Sequence, residues 1–170
     1  MRFCYADPPY FGMGEKMYKR PEWDLLETHH ALVRRLMDEF PDGWAMSCSS
    51  TSLLKIGAAC PEARVAAWTK PWASMRPNVS PAFAWEPVLF MGGRRASRTE
   101  WSGRDYIHCS ITHGRSVKGA KPDGFSFWLF EDLFHATPDD EFVDLFLGSG
   151  AVTRAWETWC GMRGRMVCGE

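Results

Sequence analysis

The residues best placed to do chemistry open the chain. Asp7-Pro8-Pro9-Tyr10 follows the short apolar run Arg2–Ala6. That run has the make-up of a buried strand, and the two prolines stop it because neither has an N–H to give a sheet ladder. A residue before proline is held extended, so Asp7 is presented stiffly at a strand tip with Tyr10 just beyond it. A carboxylate, a rigid carbonyl and an aromatic face set this close suit the holding of a flat ring that bears an exocyclic amine. Asp7 and the Pro8 carbonyl accept from the amine, and Tyr10 stacks on the ring. On these four residues alone, a strand running into a proline turn is as good an account.

The second candidate lies near the other end. Asp144-Leu145-Phe146-Leu147-Gly148-Ser149-Gly150, after Glu141-Phe142-Val143, reads as a strand breaking into a glycine turn, with a helical stretch over 151–160. Glycines there let the backbone approach a ligand closely, and the helix presents its first N–H groups. About twenty residues further on, Met166-Val167-Cys168-Gly169-Glu170 reads as a second strand ending in an acid, and an acid at such a strand end can hold ribose hydroxyls. The order strand, turn, helix, strand, acid says more than the two glycines do.

The elements that must position these groups lie between them. Residues 11–21 form a glycine-containing loop, basic toward its end and closed by Pro21, that serves as a lid or a connector. Asp24 is an N-cap with Glu27 at the capping-box position, and Leu25, Leu32, Val33, Leu36, Met37 and Phe40 recur at helical spacing up to Pro41. His29 and His30 on this helix read as surface or packing residues. Strands are expected over 44–48, 64–69 and 86–91, with a short helix before Pro61 capped from residues 49–51. Pro87 argues that the last of these strands starts there or lies at an edge. Residues 70–81, with Pro71, Pro77 and Pro81, read as loop. Residues 121–134 place Phe125, Trp128, Leu129 and Leu133 on one helical face. Alternating strands and helices imply one α/β domain over 1–170 with a parallel sheet and covering helices, the strands starting at Arg2 and Glu141 being parallel neighbours at its centre.

The motifs together resemble the amino-group DNA methyltransferases that use S-adenosylmethionine. Asp7-Pro8-Pro9-Tyr10 matches their catalytic D-P-P-[YFW] motif, and Asp144 to Gly150 their F-x-G-x-G cofactor motif. The catalytic motif comes first, which is the permuted order of the β class. Gly119-Ala120-Lys121-Pro122 matches that class's K-P motif. Ala84-Trp85-Glu86-Pro87-Val88 and Lys121-Pro122-x-x-Phe125-x-x-Trp128 are similar to stretches of small phage and actinobacterial adenine methylases. The resemblance implies a three-layer Rossmann-like methyltransferase fold, mostly parallel, circularly permuted and lacking the final strand. It implies Asp7, Pro8, Pro9 and Tyr10 as catalytic residues. Asp7, Lys121, Pro122, Asp144, Phe146, Gly148, Ser149, Gly150 and Glu170 are the implied cofactor contacts. It also implies methylation of a DNA base, adenine N6 by the D-P-P form. An RNA adenine or DNA cytosine-N4 enzyme, and a non-catalytic cofactor-binding subunit, stand as alternatives. The chain departs from the class in having no obvious target-recognition domain, so a homodimer or a partner subunit is an expected source of target recognition.

Composition sets the remaining bounds. Of 170 residues, 45% are hydrophobic, enough for a sizeable core. Nine tryptophans are many for this size, some of them candidates for a binding surface. Six cysteines without a C-x-x-C pair suit reduced, buried thiols in a cytoplasmic protein. No apolar run has membrane-spanning length, and His108, Cys109 and His113 lack metal-site spacing, so no metal is expected. The formal net charge of −1 gives no global pull toward nucleic acid. Residues 92–121 are locally basic, however, through Arg94, Arg95, Arg98, Arg104, Arg115 and Lys118, with Trp101 and Tyr106 interleaved. That stretch, within a loop-rich insertion over 71–120, is the expected DNA-facing surface.

Overall fold

A computed structural model describes residues 1–75, 77–110 and 120–167, the last four of these in backbone only. Its six strands are β1 (Arg2–Ala6), β2 (Gly43–Ser47), β3 (Arg64–Ser74), β4 (Phe83–Gly92), β5 (Tyr106–His108) and β6 (Glu141–Asp144). They form one sheet in the order β5-β3-β4-β2-β1-β6. β1 pairs in parallel with both β2 and β6, and β3 with β5; only β4 runs against its neighbours. The sheet is thus mostly parallel, as expected.

Strand periodicity explains the layers. Side chains alternate between faces along β1, so Phe3 and Tyr5 enter one apolar cluster while Cys4 and Ala6 enter the other. The first face is covered by α3 (Asp123–Trp128), the π turn Leu129–Leu133 that continues it, and α4 (Ala151–Val167). Phe3 stacks on Phe134 with ring centres 5.0 Å apart, and Phe130 meets Phe142, Trp156 and Trp159. The second face is covered by α1 (Leu26–Glu39) and α2 (Leu53–Gly57), through Leu32, Val33, Leu36 and Ile56. The expected face of Phe125, Trp128, Leu129 and Leu133 is buried throughout. Trp72, Trp85 and Trp101 are among the exposed large apolar residues. Among the described residues the cysteines are free thiols, and no helix is long and apolar enough to cross a membrane.

Several local expectations differ from the structure, each for a physical reason. β1 and β6 are parallel neighbours, but β6 is an edge strand of the described sheet. Met166 and Val167, expected in a strand, extend α4. The helix continues because no proline stops it and Arg163 holds its late turns, pairing with Glu131 at 2.6 Å and lying over Trp159. Residues 168–170, and with them Glu170, lie outside the described residues. Asp24 does not cap α1, whose N-cap is Leu25. Its carboxylate instead accepts from the N–H groups of Gly14 and Glu15, at 2.7 and 3.0 Å, and so caps the π turn Gly14–Tyr18. β3 runs on to Ser74, absorbing Pro71 where its register with β4 shifts between Thr69 and Ser74. The stretch 71–120 therefore carries β4 and β5 besides its loops.

Pro87 is not at a sheet edge: β4 lies between β3 and β2. The last pair of β4 with β2 is Val88 with Ser47, so the Pro87 nitrogen faces a neighbour that has just ended. Only its carbonyl is called upon, accepting from Cys48 N–H at 3.2 Å.

At the amino ends of the parallel strands, Asp140 ties the chain together. It accepts from the Met1 α-amino group at 2.6 Å, from Arg94 at 2.8 Å through both oxygens, and from Thr137. Burial resists its charge, but these bonds hold its carboxyl down at about 2. A depressed acid stabilises the fold above its ordinary range and loses that contribution as pH falls through the folded value. Asp140→Asn is expected to cost about 2 kcal/mol at neutral pH in denaturant titrations. The gap between variant and wild type should narrow as pH falls from about 4 toward 2.

Candidate active site

The site is built at the carboxyl ends of β1, β3 and β6 and the amino end of the antiparallel β4, from residues whose backbones are restricted by a proline next in the chain. Asp7, Lys70, Glu86 and Lys121 stand directly before Pro8, Pro71, Pro87 and Pro122. That holds each backbone extended and limits where each side chain can go. The four form one chain of alternating charge. Lys70 Nζ pairs with Glu86 Oε1. Glu86 Oε2 accepts from the Tyr10 hydroxyl at 2.7 Å and lies 3.5 Å from Lys121 Nζ. Lys121 Nζ lies 3.0 Å from Asp7 Oδ1, an ion pair that lacks hydrogen-bond geometry, and 3.4 Å from the Tyr10 hydroxyl. Trp68 lies under both ammonium groups, 4.7 Å from Lys70 Nζ and 5.4 Å from Lys121 Nζ at its ring centre.

Burial and pairing set the protonation states. The Lys121 side chain is 6% exposed. Burial alone would lower its pKa, but the carboxylates of Asp7 and Glu86 outweigh that and raise it, so it remains an ammonium. Burial likewise works against charge on Glu86, yet Lys121 and Lys70 hold its carboxyl at about 2. Asp7 is the loose end of the chain: burial pushes its carboxyl up, Lys121 pulls it down, and the charge on Glu86 adds to the rise. Burial and the neighbouring acids push the Tyr10 phenol well up, which keeps it a hydrogen-bond donor.

The glycine turn sits beside this chain of charges. β1 and β6 end together, Tyr5 beside Asp144, and Leu145 N–H donates to the Tyr5 carbonyl at 3.0 Å. Asp144 accepts from Phe146 N–H at 3.2 Å and from the Thr153 hydroxyl at 3.3 Å. Burial pushes its carboxyl up, these bonds lower it, and the charge on Asp7 adds to the rise, so the two acids lie within electrostatic reach. Edge contacts through Phe11, His29, Trp23 and Phe146 join the loop after β1 to the loop after β6. His29 is thus a packing residue, its Nε2 3.0 Å from the Trp23 carbonyl. Gly148 and Gly150 take φ of +48° and +71°, and a Cβ at Gly148 would meet nothing nearer than the Phe146 carbonyl at 3.7 Å. The backbone at Gly148 is open to a ligand, next to the first turn of α4, whereas Arg154 Nη1 stands 2.9 Å from where a Cβ of Gly150 would lie and donates to the Ser149 carbonyl.

The expected site residues divide by location. Asp7, Pro8, Pro9, Tyr10, Lys121 and Pro122 come together, as do Asp144, Phe146, Gly148, Ser149 and Gly150 beside them. Lys121, expected as a cofactor contact, sits on the Asp7 carboxylate. The described basic residues do not join them. Because β4 runs antiparallel, Gly92 pairs with Gly43 at the amino ends of the strands, and the chain beyond it starts at the far end of the sheet. Arg94 is committed there to Asp140, Arg95 lines the same end, and Arg104 lies over Trp101 at 5.1 Å. Arg98 is exposed on the loop between β4 and β5; Arg115 and Lys118 lie outside the described residues. Sequence reasoning assigns no role to Glu86 or Lys70. The signal that marks them is a charged residue before proline in an otherwise apolar or aromatic run.

Neither a family model nor a curated protein matches this sequence. Solved structures do match in shape. One is the crystal structure of the M1.HpyAVI–SAM complex, with a TM-score of 0.60 and 19% identity over 92% of this chain and 78% of that chain. Another is the crystal structure of M1.HpyAVI, with a TM-score of 0.57 and 17% identity over 92% of this chain and 75% of that one. The fold is a Rossmann-like methyltransferase fold. Within this methyltransferase fold the Asp7 tip and the glycine turn occupy the carboxyl ends of adjacent parallel strands, where open α/β sheets bind ligands.

The buried charges give a direct test of this geometry. Lys121→Met would leave Asp7 and Glu86 facing each other without their shared cation. Breaking such a buried arrangement is expected to cost about 3 kcal/mol in urea unfolding. A loss below about 0.5 kcal/mol is what an exposed pair would give and would place the ammonium in solvent.

Proposed function

We propose that the chain transfers a methyl group from S-adenosylmethionine to an exocyclic amine of a DNA base, adenine N6. The observation that carries this reading is the Asp7-Pro8-Pro9-Tyr10 tip held beside an open glycine turn at neighbouring strand ends. The shape shared with a protein crystallised with SAM supports the choice of cofactor. The residues present fit that group. Gly148 leaves backbone accessible in a left-handed conformation, and Gly150 completes the turn in the same conformation under the Arg154 guanidinium. Ser149, Phe146 and Asp144 flank them, and these five residues would hold the cofactor.

When bound, S-adenosylmethionine supplies a methyl group already activated on a sulfonium. The protein's task is then to present the acceptor. An exocyclic amine is a poor nucleophile because its lone pair is delocalised into the ring. Asp7 and the Pro8 carbonyl accept its two hydrogens, which favours the tetrahedral geometry that attack requires and stabilises the positive charge developing on nitrogen. Pro8 and Pro9 are buried, so this tip moves little. Tyr10 is half-buried, its hydroxyl anchored on Glu86, and its ring serves as the stacking partner for a base turned out of the duplex. The four charged groups balance to zero, which suits a neutral amine rather than a cation.

The test is incubation with methyl-labelled S-adenosylmethionine and DNA or RNA, followed by nucleoside analysis. Label is expected on N6-methyldeoxyadenosine. Label on N4-methyldeoxycytidine or on an RNA nucleoside would correct the substrate, and cofactor binding without transfer to either nucleic acid would favour a non-catalytic subunit. Asp7→Ala is expected to lower turnover roughly 100-fold with cofactor affinity nearly unchanged.

A further inference from the structure

Glu86 has two oxygens and three suitors. Lys70 takes Oε1, the Tyr10 hydroxyl takes Oε2 at 2.7 Å, and Lys121 is left at 3.5 Å from Oε2. The same ammonium is 3.0 Å from Asp7. Without Lys70, a half-buried Glu86 with an open oxygen would compete with Asp7 for the cation they share. We propose that Lys70 is a positioning residue for Asp7: by occupying Glu86 it leaves the Lys121 ammonium to the carboxylate at the strand tip. The inference rests on the role given to Asp7 above, although its structural half stands without it.

The backbone supports the assignment. Lys70 lies where β3 begins to lose register with β4, and Pro71 follows it. Its side chain is nonetheless turned inward, 13% exposed, over the Trp68 ring. A lysine on a solvated strand end normally keeps its ammonium in water. Here Trp68 and Glu86 together hold it in, and Trp68 contacts Lys121 as well. Among the described residues, the groups that act on Asp7 come from every element around it. They are Lys121 before α3, Glu86 on β4 with Lys70 behind it on β3, Tyr5 and Tyr10 on β1 and its loop, Asp144 on β6, and Tyr18 on the π turn.

The arrangement predicts opposite signs for two substitutions on one ion pair. Removing Lys70 frees Glu86 to draw Lys121 away, so Asp7 becomes easier to protonate. Removing the charge of Glu86 leaves Lys121 to Asp7, so Asp7 becomes harder to protonate. A general loss of packing would move both variants the same way.

The experiment is a carbon-13 NMR titration of protein labelled at the aspartate carboxyl carbons, with Asp7 assigned by the signal lost in Asp7→Asn. Lys70→Met is expected to raise the Asp7 midpoint by roughly one pH unit. Glu86→Gln should lower it, and the double variant should return below Lys70→Met alone. Lys70→Arg should stay near wild type, and Lys70→Gln serves as the uncharged variant should Lys70→Met not fold. The acid limb of kcat/KM against pH should move with the midpoint in each variant. An unchanged Asp7 midpoint in both uncharged Lys70 variants, or shifts of the same sign for Lys70 and Glu86, would overturn the proposal. If wild-type protein methylates nothing, the reading of the reaction fails while the titration still decides the role of Lys70. If the enzyme is active and the titration is flat, only the role of Lys70 is lost.

Discussion

The buried Lys121 ammonium is the interaction on which the rest of this structure depends. It is the one cation within 4 Å of Asp7 among the described groups, and it is shared with Glu86. A charge taken this far from water is tolerated only where opposite charge and hydrogen bonds replace its hydration. Those partners arrive from separate parts of the chain: Asp7 from the tip of β1, Glu86 from β4, Tyr10 from the loop between them in sequence. The sheet must therefore form before the site exists, and the site in turn favours the sheet that assembles it.

Proline is the device that makes this assembly economical. Ordering four long charged side chains costs conformational entropy, and part of that cost falls on the backbone. Placing a proline after each of Asp7, Lys70, Glu86 and Lys121 restricts the backbone of all four before folding begins. The same choice explains an otherwise awkward interior strand. Pro87 gives up a ladder bond only where β2 has already ended, so the constraint on Glu86 comes at little loss of sheet pairing.

Much of this was legible in the sequence, for identifiable reasons. The apolar run at residues 2–6, the spacing of apolar residues along α1, and the buried face of residues 125–133 are signals set by local geometry. The Asp7 tip and the glycine turn are contiguous motifs, and their adjacency followed from parallel pairing. What was not legible depends on contacts distant in sequence. The sense of β4 decides which end of the sheet receives Arg94 and Arg95, and no local pattern states it. Asp24 resembles a helix cap in sequence, but the N–H groups it satisfies belong to a turn ten residues earlier. Glu86 and Lys70 are separated by 16 residues and meet only across a hairpin. Asp7 and Lys121 meet across more than half the chain.

The central claim is that the Asp7 tip and the glycine turn line one crevice that holds the methyl donor against the acceptor. It is tested most directly by NMR of the wild-type protein with S-adenosylmethionine carrying a carbon-13 methyl group. Intermolecular Overhauser contacts from that methyl are predicted to the Tyr10 ring and to Pro8, with contacts from the rest of the cofactor to Gly148 and Gly150. Contacts confined to the far end of the sheet, around Arg94 and Trp101, or no saturable binding at all, would contradict the account.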